Sequence, residues 1–403
     1  MTRRLLVAAM TIAAAVSLAS TGAEASVSPR AASSAVSVQP RGQRHETGAA
    51  ADLAAVAVIP RTADAWAVGQ RCGSPSVCPA AGPSLILRLS SSRWSPVKAP
   101  SPGGRVTLTS VAASSRSNAW AVGSYDGSEN KNLFLHWNGT SWKQIRGPSE
   151  NSGWLYGVAA ASPANAWAVG TYGSPPRTLI LHWNGRIWTK IATPHPGSSG
   201  SELYAVTAVS GDDVWAVGNA LLANSTYQPL ILHWNGHTWK TTRTPRTDTL
   251  GTRLSGVAAA GRSDVWAVGQ YDNPNDFNNP LIFHWNGDAW SRSAAPGMST
   301  NLEELNAVTA TSPAHAWAVG LGPCVGGSIN CPSHSLIMRW SNRSWKTVRS
   351  VSIHDGKDQN VLNGVAATSA SNAWAVGSYY PAAQGDPVRA LLLHWNGTSW
   401  TER

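Results

Sequence analysis

Five histidines recur in one short motif and are the first candidates for metal chemistry. Each begins the segment His-Trp-Asn-Gly, and they are His136, His182, His233, His284 and His394. Imidazole nitrogens bind transition metals, but a metal centre gathers its ligands at one place. These histidines occur once per repeat and are therefore spread over several structural units. The sequence predicts that each makes a hydrogen bond within its own unit, and that the protein holds no metal and no other cofactor.

Acidic residues offer two further kinds of chemistry. Asp272 and Asp276 lie among asparagines, and their oxygens could bind calcium. Their spacing does not match an EF-hand loop, so a solvated Asn/Asp turn is the favoured interpretation. Glycoside hydrolysis needs two carboxyl groups roughly 5 to 9 Å apart, and the sequence places no pair that closely. Glu303 and Glu304 are interpreted as a surface pair, and no catalytic residue is predicted.

Tyrosines recur where a variable loop begins. Tyr125, Tyr172, Tyr271 and Tyr379 each lie two residues after the glycine of a Trp-Ala-Val-Gly segment. Their rings either close over the end of a strand or form a rim that stacks on sugars or peptide side chains. The second interpretation makes them candidate ligand-binding residues.

The last repeat carries the most concentrated candidate patch. Tyr379, Tyr380, Asp386 and Arg389 belong to one loop region. In a ring of seven repeats, the first and sixth flank the seventh, and their long cysteine-bearing loops would frame this patch. We therefore expect these four residues to contact the ligand.

Four cysteines form two close pairs in the sequence. Cys72 and Cys78 share a loop of the first repeat, and Cys324 and Cys331 share the corresponding loop of the sixth. An even count in close pairs predicts two local disulfides in an exported chain. A four-thiolate zinc site is the less favoured alternative, because the spacings are wider than in Cys-x-x-Cys knuckles.

Tryptophans define the elements that must position all these residues. Three tryptophan positions recur along the chain and account for 20 of its 21 tryptophans. The first position, in Trp-Ala-Val-Gly, holds Trp66, Trp120, Trp167, Trp215, Trp266, Trp317 and Trp374. The second lies in the His-Trp-Asn-Gly motif, with Leu89 in its place in the first repeat, and the third follows five residues later. Successive first positions are 47 to 57 residues apart, a period typical of propeller blades.

Each repeat reads as four short strands. In the fourth repeat these include the segments LYAVTAVS, DVWAVG and PLILHW, followed by a strand with Trp239. Asn-Gly between the last two strands predicts a two-residue type I′ turn. Because both faces of such a sheet are apolar, each sheet must pack between two others, and a closed ring achieves this. The sequence predicts an all-β fold, a seven-bladed β-propeller of four-stranded antiparallel blades.

The predicted domain boundaries follow from the repeats and the leader. Residues 1–25 form a signal peptide, with Arg3 and Arg4 before an apolar stretch and a small-residue cleavage site at Ala25. Residues 26–51 form a flexible leader, and residues 52–403 form the propeller. The blades are expected near 52–100, 101–148, 149–196, 197–247, 248–298, 299–352 and 353–403. The product is predicted to be secreted and extracellular, monomeric and without a membrane span after processing.

The repeat resembles the kelch type of propeller blade, of the kind found in the central domain of galactose oxidase, in an exported bacterial form. The resemblance rests on a strand that ends in glycine, a variable loop, an aromatic residue ending the third strand and tryptophan on the fourth. Kelch blades usually carry a glycine pair after the second strand. Here the second position holds Gln70, Ser124, Thr171, Asn219, Gln270, Leu321 or Ser378. The resemblance implies the fold and no particular chemistry. A copper oxidase site is not expected, because every cysteine has a predicted disulfide partner.

Connection lengths predict where function lies. The turn between the first two strands and the turn between the last two are nearly constant in length. The loop after Trp-Ala-Val-Gly holds 8 to 15 residues, and the link between blades holds 12 to 16. In an up-and-down sheet both variable connections emerge at one end, so one face is built from loops that can carry a site. Inner strands such as GVAAAS and AVTATS predict a small, uncharged channel lining, which disfavours a buried active site.

Charge and the absence of catalytic motifs lead to the functional prediction. The formal net charge is +10 with only 13% charged residues, which favours anionic polymers or simply keeps the surface soluble. Nucleic acid is disfavoured, because basic residues do not alternate with aromatic ones in one tract. We expect a non-catalytic propeller that binds a glycan or protein through its loop face. The alternative is an exported polysaccharide hydrolase or lyase with loop carboxylates.

Overall fold

The computed structural model confirms the predicted all-β propeller. It describes residues 50–72, 83–125, 131–148, 153–247, 251–272, 278–296, 303–324, 333–350, 358–381 and 386–403. These residues form seven four-stranded antiparallel sheets. Within these ranges there is no helix, and so none that is long and apolar enough to cross a membrane.

The first four blades each consist of four consecutive strands. Blade 1 contains β1 (Ala51–Val58), β2 (Ala65–Arg71), β3 (Ser84–Ser90) and β4 (Arg93–Pro96). Blade 2 contains β5 (Val106–Ser115), β6 (Asn118–Tyr125), β7 (Lys131–Trp137) and β8 (Trp142–Gln144). Blade 3 contains β9 (Trp154–Ser162), β10 (Asn165–Tyr172), β11 (Arg177–Trp183) and β12 (Trp188–Lys190). Blade 4 contains β13 (Gly200–Ser210), β14 (Asp213–Leu221), β15 (Tyr227–Trp234) and β16 (Trp239–Thr241).

The last three blades repeat this order. Blade 5 contains β17 (Thr252–Gly261), β18 (Asp264–Asp272), β19 (Asn278–Trp285) and β20 (Trp290–Ser293). Blade 6 contains β21 (Glu304–Ser312), β22 (His315–Cys324), β23 (Ser333–Ser341) and β24 (Ser344–Thr347). Blade 7 contains β25 (Gln359–Ser369), β26 (Asn372–Tyr380), β27 (Arg389–Trp395) and β28 (Trp400–Glu402). In every blade the first strand packs against the first strands of the neighbouring blades and is therefore innermost.

Ring closure joins blade 7 to blade 1 without an exchanged strand, since each sheet holds only its own consecutive strands. Side chains make the seam instead. Asn363 Nδ2 donates a hydrogen bond to the carbonyl oxygen of Leu53 at 2.9 Å, and the Ser378 hydroxyl donates to the Asp52 carboxylate. The rings of Trp94 and Trp374 meet edge to face with centroids 5.3 Å apart. Hydrogen bonds and a tryptophan pair between blades 7 and 1 therefore close the ring.

The tryptophans form the blade interfaces. Trp215 in β14 is 1% exposed and meets two tryptophans of blade 5, Trp285 at 5.1 Å and Trp290 at 5.4 Å between centroids. The same three-ring cluster recurs at six of the seven interfaces, and Leu89 replaces one ring at the seventh. All seven Trp-Ala-Val-Gly tryptophans are buried: Trp66, Trp120, Trp167, Trp215, Trp266, Trp317 and Trp374.

The motif histidines hold the blades internally, as predicted. The rings of His233 and Trp215 stack with centroids 4.0 Å apart, and His233 Nε2 is hydrogen-bonded to Asp213 Oδ1 at 2.8 Å. Equivalent pairs join His136 to Asn118, His284 to Asp264 and His394 to Asn372. His182 packs against Trp167 with ring centroids 4.2 Å apart, but its Nε2 has no hydrogen-bond partner, so the predicted hydrogen bond is absent in blade 3. Burial against these rings lowers the pKa of His136, His182 and His394.

Arginine replaces this histidine in blades 1 and 6. The guanidinium of Arg88 lies 5.3 Å from the ring centroid of Trp66 in its own blade and 5.5 Å from that of Trp137 in blade 2. Arg339 bridges Trp317 and Trp395 in the same way. A cation over two rings thus takes the place of a stacked imidazole.

The predicted type I′ turn at Asn-Gly is wrong. Trp137 pairs with Trp142, so the loop holds four residues, and Gly139 takes a positive φ of 98° whereas Asn138 does not. The Asn138 side-chain oxygen instead accepts backbone N–H groups from residues 140 and 141, an Asx turn. Two successive residues with positive φ occur in the blades that lack Asn-Gly, at Ser91 and Ser92 and at Asn342 and Arg343.

Strand direction separates two faces of the disc. The links between blades and the loops after Trp-Ala-Val-Gly both lie at the end where the inner strands begin, and we call this the loop face. The tight turns between the first and second strands and between the third and fourth strands lie at the opposite end, the turn face. The tryptophan clusters lie toward the turn face, since the first-position residues begin the second strands and the others border the tight turn. The tryptophan clusters therefore do not restrict which residues occupy the loop face.

Candidate functional site

The predicted rim tyrosines lie on different blades. Tyr172 is covered by Lys190 Nζ, 3.6 Å from its ring centroid, and Tyr271 by the Arg292 guanidinium at 4.3 Å. Tyr125 packs against the cluster between blades 1 and 2. All three are half-buried at blade interfaces, which fits the role of closing strand ends. A role in ligand binding stays a prediction for each of them.

The predicted patch in blade 7 divides in two. Tyr379 is 6% exposed, lies 5.9 Å from the Arg389 guanidinium, and feels the charges of Asp358 and Asp386. Burial raises the pKa of Tyr379, Arg389 opposes that rise, and the acidic neighbours add to it. Tyr380 points the other way, as adjacent strand residues do, and lies near Asp52 and Ser378. The structure thus brings Tyr379, Asp386 and Arg389 together and separates Tyr380 from them.

Of the two aspartates considered as calcium ligands, Asp272 is the last described residue of its strand and Asp276 is not described. Asp272 ends β18, and its backbone N–H donates to the Gly251 carbonyl oxygen at 2.8 Å, while Asp276 lies outside the described residues. Within the described part of the chain no three His, Cys, Asp or Glu residues are grouped to hold a metal ion.

Three of the four cysteines have no described side chain. Cys72 takes part in a disulfide, but Cys78 and Cys331 lie outside the described residues. Cys324 ends β22, and its side chain is not described. Both pairings stay predictions.

A polar cluster surrounds the loop end of the central channel. It comes from four consecutive inner strands, β9, β13, β17 and β21, at the ends where these strands begin. We call it the channel-mouth cluster, and it consists of Tyr156, Glu202, Tyr204, Arg253, Glu304 and Asn306. Its members are buried or half-buried, and each lies on a β-strand whose backbone holds it in place.

Tyr204 lies at the centre of this cluster. Its hydroxyl donates to Glu202 Oε2 at 2.6 Å and accepts a hydrogen bond from Asn219 Nδ2 at 3.3 Å. The Tyr156 ring lies 5.4 Å away between centroids, and the Arg253 guanidinium lies 5.6 Å from the Tyr204 ring centroid. The Tyr156 ring, the Glu202 carboxylate and the Arg253 guanidinium therefore all lie against the Tyr204 side chain.

Electrostatics keep the two phenols protonated. Burial is the largest cause that raises the pKa of Tyr204 and Tyr156, and the charge of Glu202 raises both further, against the opposing effect of Arg253. Burial also raises the pKa of Glu304, while Arg253 and a hydrogen bond with Asn306 act the other way. The cluster thus offers neutral phenols beside a fixed positive charge.

The prediction of an uncharged channel is wrong at this end. It rested on segments such as GVAAAG, which begin just after the functional positions. The missed signal is the residue before the first-strand leucine, which varies between blades whereas the leucine recurs in all seven. That position holds Asp52, Thr107, Trp154, Glu202, Arg253, Glu304 and Val361. Glu304, interpreted as a surface residue from the sequence, belongs here, and its neighbour Glu303 is only 3% exposed.

Asp52 occupies the same position in blade 1, at the closure seam. Burial raises the pKa of Asp52 above its ordinary value of 3.8, and the hydrogen bond from Ser378 acts against that rise. The folded state therefore holds this proton more tightly than the unfolded state does. By linkage, the free energy of unfolding falls as pH rises from about 4 through the folded pKa of this group.

We expect Asp52→Asn to raise the melting temperature relative to the parent at pH 7 and to lose that advantage at pH 4, where the parent carboxyl is protonated. Thermal unfolding followed at several pH values measures this. Asp288→Asn, on an exposed turn, is the control for removing one carboxylate. A difference between Asp52→Asn and the parent that does not change with pH would contradict the assignment.

Comparison with known proteins supports the fold. No protein-family model and no curated protein sequence matches the chain. The β-propeller domain of the Trilobed protease from Pyrococcus furiosus is similar, with a TM-score of 0.54 at 9% identity, over 88% of this chain and 97% of that one. An ulvan lyase, from a family of polysaccharide lyases, gives a TM-score of 0.53 at 10% identity, over 89% and 97%. A six-bladed fungal lectin from Aleuria aurantia gives 0.47 at 11% identity, over 74% and 95%. At such identities the likeness concerns the β-propeller fold alone.

Proposed function

We propose that this protein is an exported, kelch-like β-propeller that binds a glycan or protein ligand non-catalytically on its loop face, with the channel-mouth cluster as the binding site. The observation that carries the proposal is the convergence of Tyr156, Glu202, Tyr204 and Arg253 at one end of the channel. The ligand class that this chemistry fits best is a glycan.

Sugar recognition needs fixed donors and acceptors beside an aromatic surface. Glu202 accepts hydrogen bonds, Arg253 donates them, and Asn306 can do both. The rings of Tyr156 and Tyr204 offer apolar faces to the C–H groups of a sugar. Inner strands hold these side chains more rigidly than loops would, which reduces the entropy lost on binding.

Protonation of the phenols favours a hydrogen-bonding role over general-base catalysis. A tyrosine that acts as a general base must lose its proton near the working pH. Burial and Glu202 raise the pKa of Tyr204 and Tyr156 instead. They act as hydrogen-bonding groups at neutral pH.

Export is proposed on the N-terminal sequence, which lies outside the described residues. The positive pair Arg3 and Arg4, the apolar stretch that follows and the small-residue site at Ala25 support a signal peptide over residues 1–25. A secreted, monomeric product is part of the same proposal.

A glycan array probed with the mature protein tests the proposal. We expect binding to a restricted set of sugars, and a loss of at least tenfold in affinity with Tyr204→Phe and Glu202→Gln. Both changes keep the side-chain shape and remove one hydrogen-bonding function. Thr107→Ala, at the equivalent position of blade 2, is the matched control and should bind normally. Unchanged affinity in both site variants would exclude the channel mouth as the site.

One observation favours an exported polysaccharide-acting enzyme as the second candidate. Burial raises the pKa of Glu304, so this carboxyl can hold a proton that a leaving group requires. Reducing-end assays on every bound polysaccharide distinguish the two candidates. Turnover that disappears in Glu304→Gln while binding persists would establish the enzyme and reject the non-catalytic proposal.

A further inference from the structure

Positive charge recurs on the outermost strands of three blades. The outermost strands of blades 2, 4 and 6 each read Trp-Lys-x-x-Arg, which places Lys143, Lys240 and Lys346 directly after the buried tryptophan. Arg146, Arg243 and Arg349 follow three residues later. All six cations are exposed, and we call them the three basic edges.

Backbone pairing fixes the position of these cations. The residue before each arginine still bonds to the neighbouring strand, as Ile145 N donates to the Phe134 carbonyl oxygen at 2.9 Å and Val348 N to that of Ile337 at 2.8 Å. Thr242 N donates likewise to the Ile231 carbonyl oxygen at 3.0 Å. In each of the three blades, the lysine and the arginine therefore lie on the same ordered strand edge, with two residues between them.

Acidic residues do not balance these edges. Of the described acidic residues in the outermost strands and the links that follow them, Glu402 is exposed, whereas Glu303 and Asp358 are buried. Blocking edge-to-edge aggregation would need one charge of either sign on each edge strand. This accounts for a lysine on an edge strand, but not for the second cation beyond the end of the strand in all three blades.

We propose that the three basic edges bind a linear acidic polysaccharide, with its uronate carboxylates spread over the circumference. This surface is separate from the channel mouth, so the inference does not depend on the proposed function. Several weak ion pairs on a single polymer add up to useful affinity, because each later contact is intramolecular.

Two features favour a polysaccharide over nucleic acid. Single-stranded nucleic acid is held by stacking its bases on exposed aromatic rings. The tryptophans of the three basic edges are buried, and among the described residues the only exposed large hydrophobic side chain is Ile187. Duplex DNA resists bending over short distances, whereas a flexible single chain can follow a curved rim from one basic edge to the next.

Binding of polygalacturonate to the mature protein, measured by calorimetry at low and physiological salt, tests the inference. We expect binding that weakens as salt rises. Lys143→Glu, Lys240→Glu and Lys346→Glu combined should reduce affinity by at least about tenfold, since each cation near an anionic surface contributes appreciably. The matched control combines Arg61→Glu, Arg116→Glu and Arg186→Glu, which reverses the same number of exposed charges on the turn face and should change affinity little.

Four outcomes would overturn the inference: no binding at low salt, equal losses in the two triple variants, duplex DNA binding as tightly as the polyuronate, or loss of polyuronate binding in Tyr204→Phe with Glu202→Gln. The last would move the polymer to the channel mouth. Polyuronate binding that survives in this double variant supports the basic edges even if the glycan array shows no ligand. The melting temperatures of all variants confirm that each is folded.

Discussion

Replacing Trp215 with alanine should lower the free energy of unfolding by roughly 3 to 5 kcal/mol, the usual cost of removing a large aromatic side chain from a core. The side chain is 1% exposed and contacts His233 in its own blade and two tryptophans of blade 5. Its loss leaves a cavity between two rigid sheets, which cannot move together without disturbing the rest of the ring. Because folded domains have only ~5 to 15 kcal/mol of stability, we expect a large fall in the denaturation midpoint.

Trp94→Ala is the matched comparison for this prediction. Trp94 lies at the seventh interface, is half-buried, and meets Trp374 where Leu89 replaces the third ring. The same chemical change there should cost clearly less. Chemical denaturation of both variants, followed by tryptophan fluorescence and circular dichroism, measures the difference. Equal costs would show that neither the deeper burial of Trp215 nor its three-ring cluster adds to its contribution.

Gly218→Ala should destabilise the protein by about 3 kcal/mol or more, at or beyond the upper end of ordinary overpacking. A Cβ atom at this position would lie 1.9 Å from the carbonyl oxygen of Glu202 and 2.8 Å from its carbonyl carbon. Both are backbone atoms of the inner strand, where Leu203 pairs with Gly218, so no side chain can rotate to make room. The inner strand must shift, and Glu202 of the channel-mouth cluster shifts with it.

Gly261→Ala provides the control for this change. Nothing lies within 4 Å of a Cβ at Gly261, so alanine there should change stability by no more than about 0.5 kcal/mol. Thermal and denaturant unfolding of both variants tests the pair. If Gly218→Ala unfolded like the parent, the close approach of the two strands could not be the reason for glycine at this position.

The same close approach explains why the glycine of Trp-Ala-Val-Gly recurs in every blade whereas the residue after it varies. The equivalent Cβ would lie 1.8 to 2.0 Å from an inner-strand carbonyl oxygen in all seven blades. The next position tolerates Gln70, Thr171 or Leu321, which are accommodated beside the inner strand. Side chains larger than glycine at this next position therefore leave the blade geometry intact.

Sequence patterns predicted the fold and its interfaces because these depend on repetition. Tryptophan at three constant spacings has to be buried, and a sheet with two apolar faces has to lie between two others. The histidine of each His-Trp-Asn-Gly motif was also correctly placed within its blade, since a residue that occurs once per blade has the same neighbours each time. The turn type was missed, because the Asn138 side chain bonds to the backbone locally and selects a four-residue loop.

The sequence did not predict the candidate site, because the site does not depend on repetition. Tyr156, Tyr204, Arg253 and Glu304 are each unremarkable in their own repeat, and about fifty residues separate one from the next. Only the assembled ring brings consecutive inner strands side by side, so that residues on either side of the first-strand leucine in different blades become neighbours. The residues alone thus determined what each blade is and what it packs against. The tertiary structure decided which side chains share a site, because Tyr156, Tyr204, Arg253 and Glu304 come from four blades and meet only in the assembled ring.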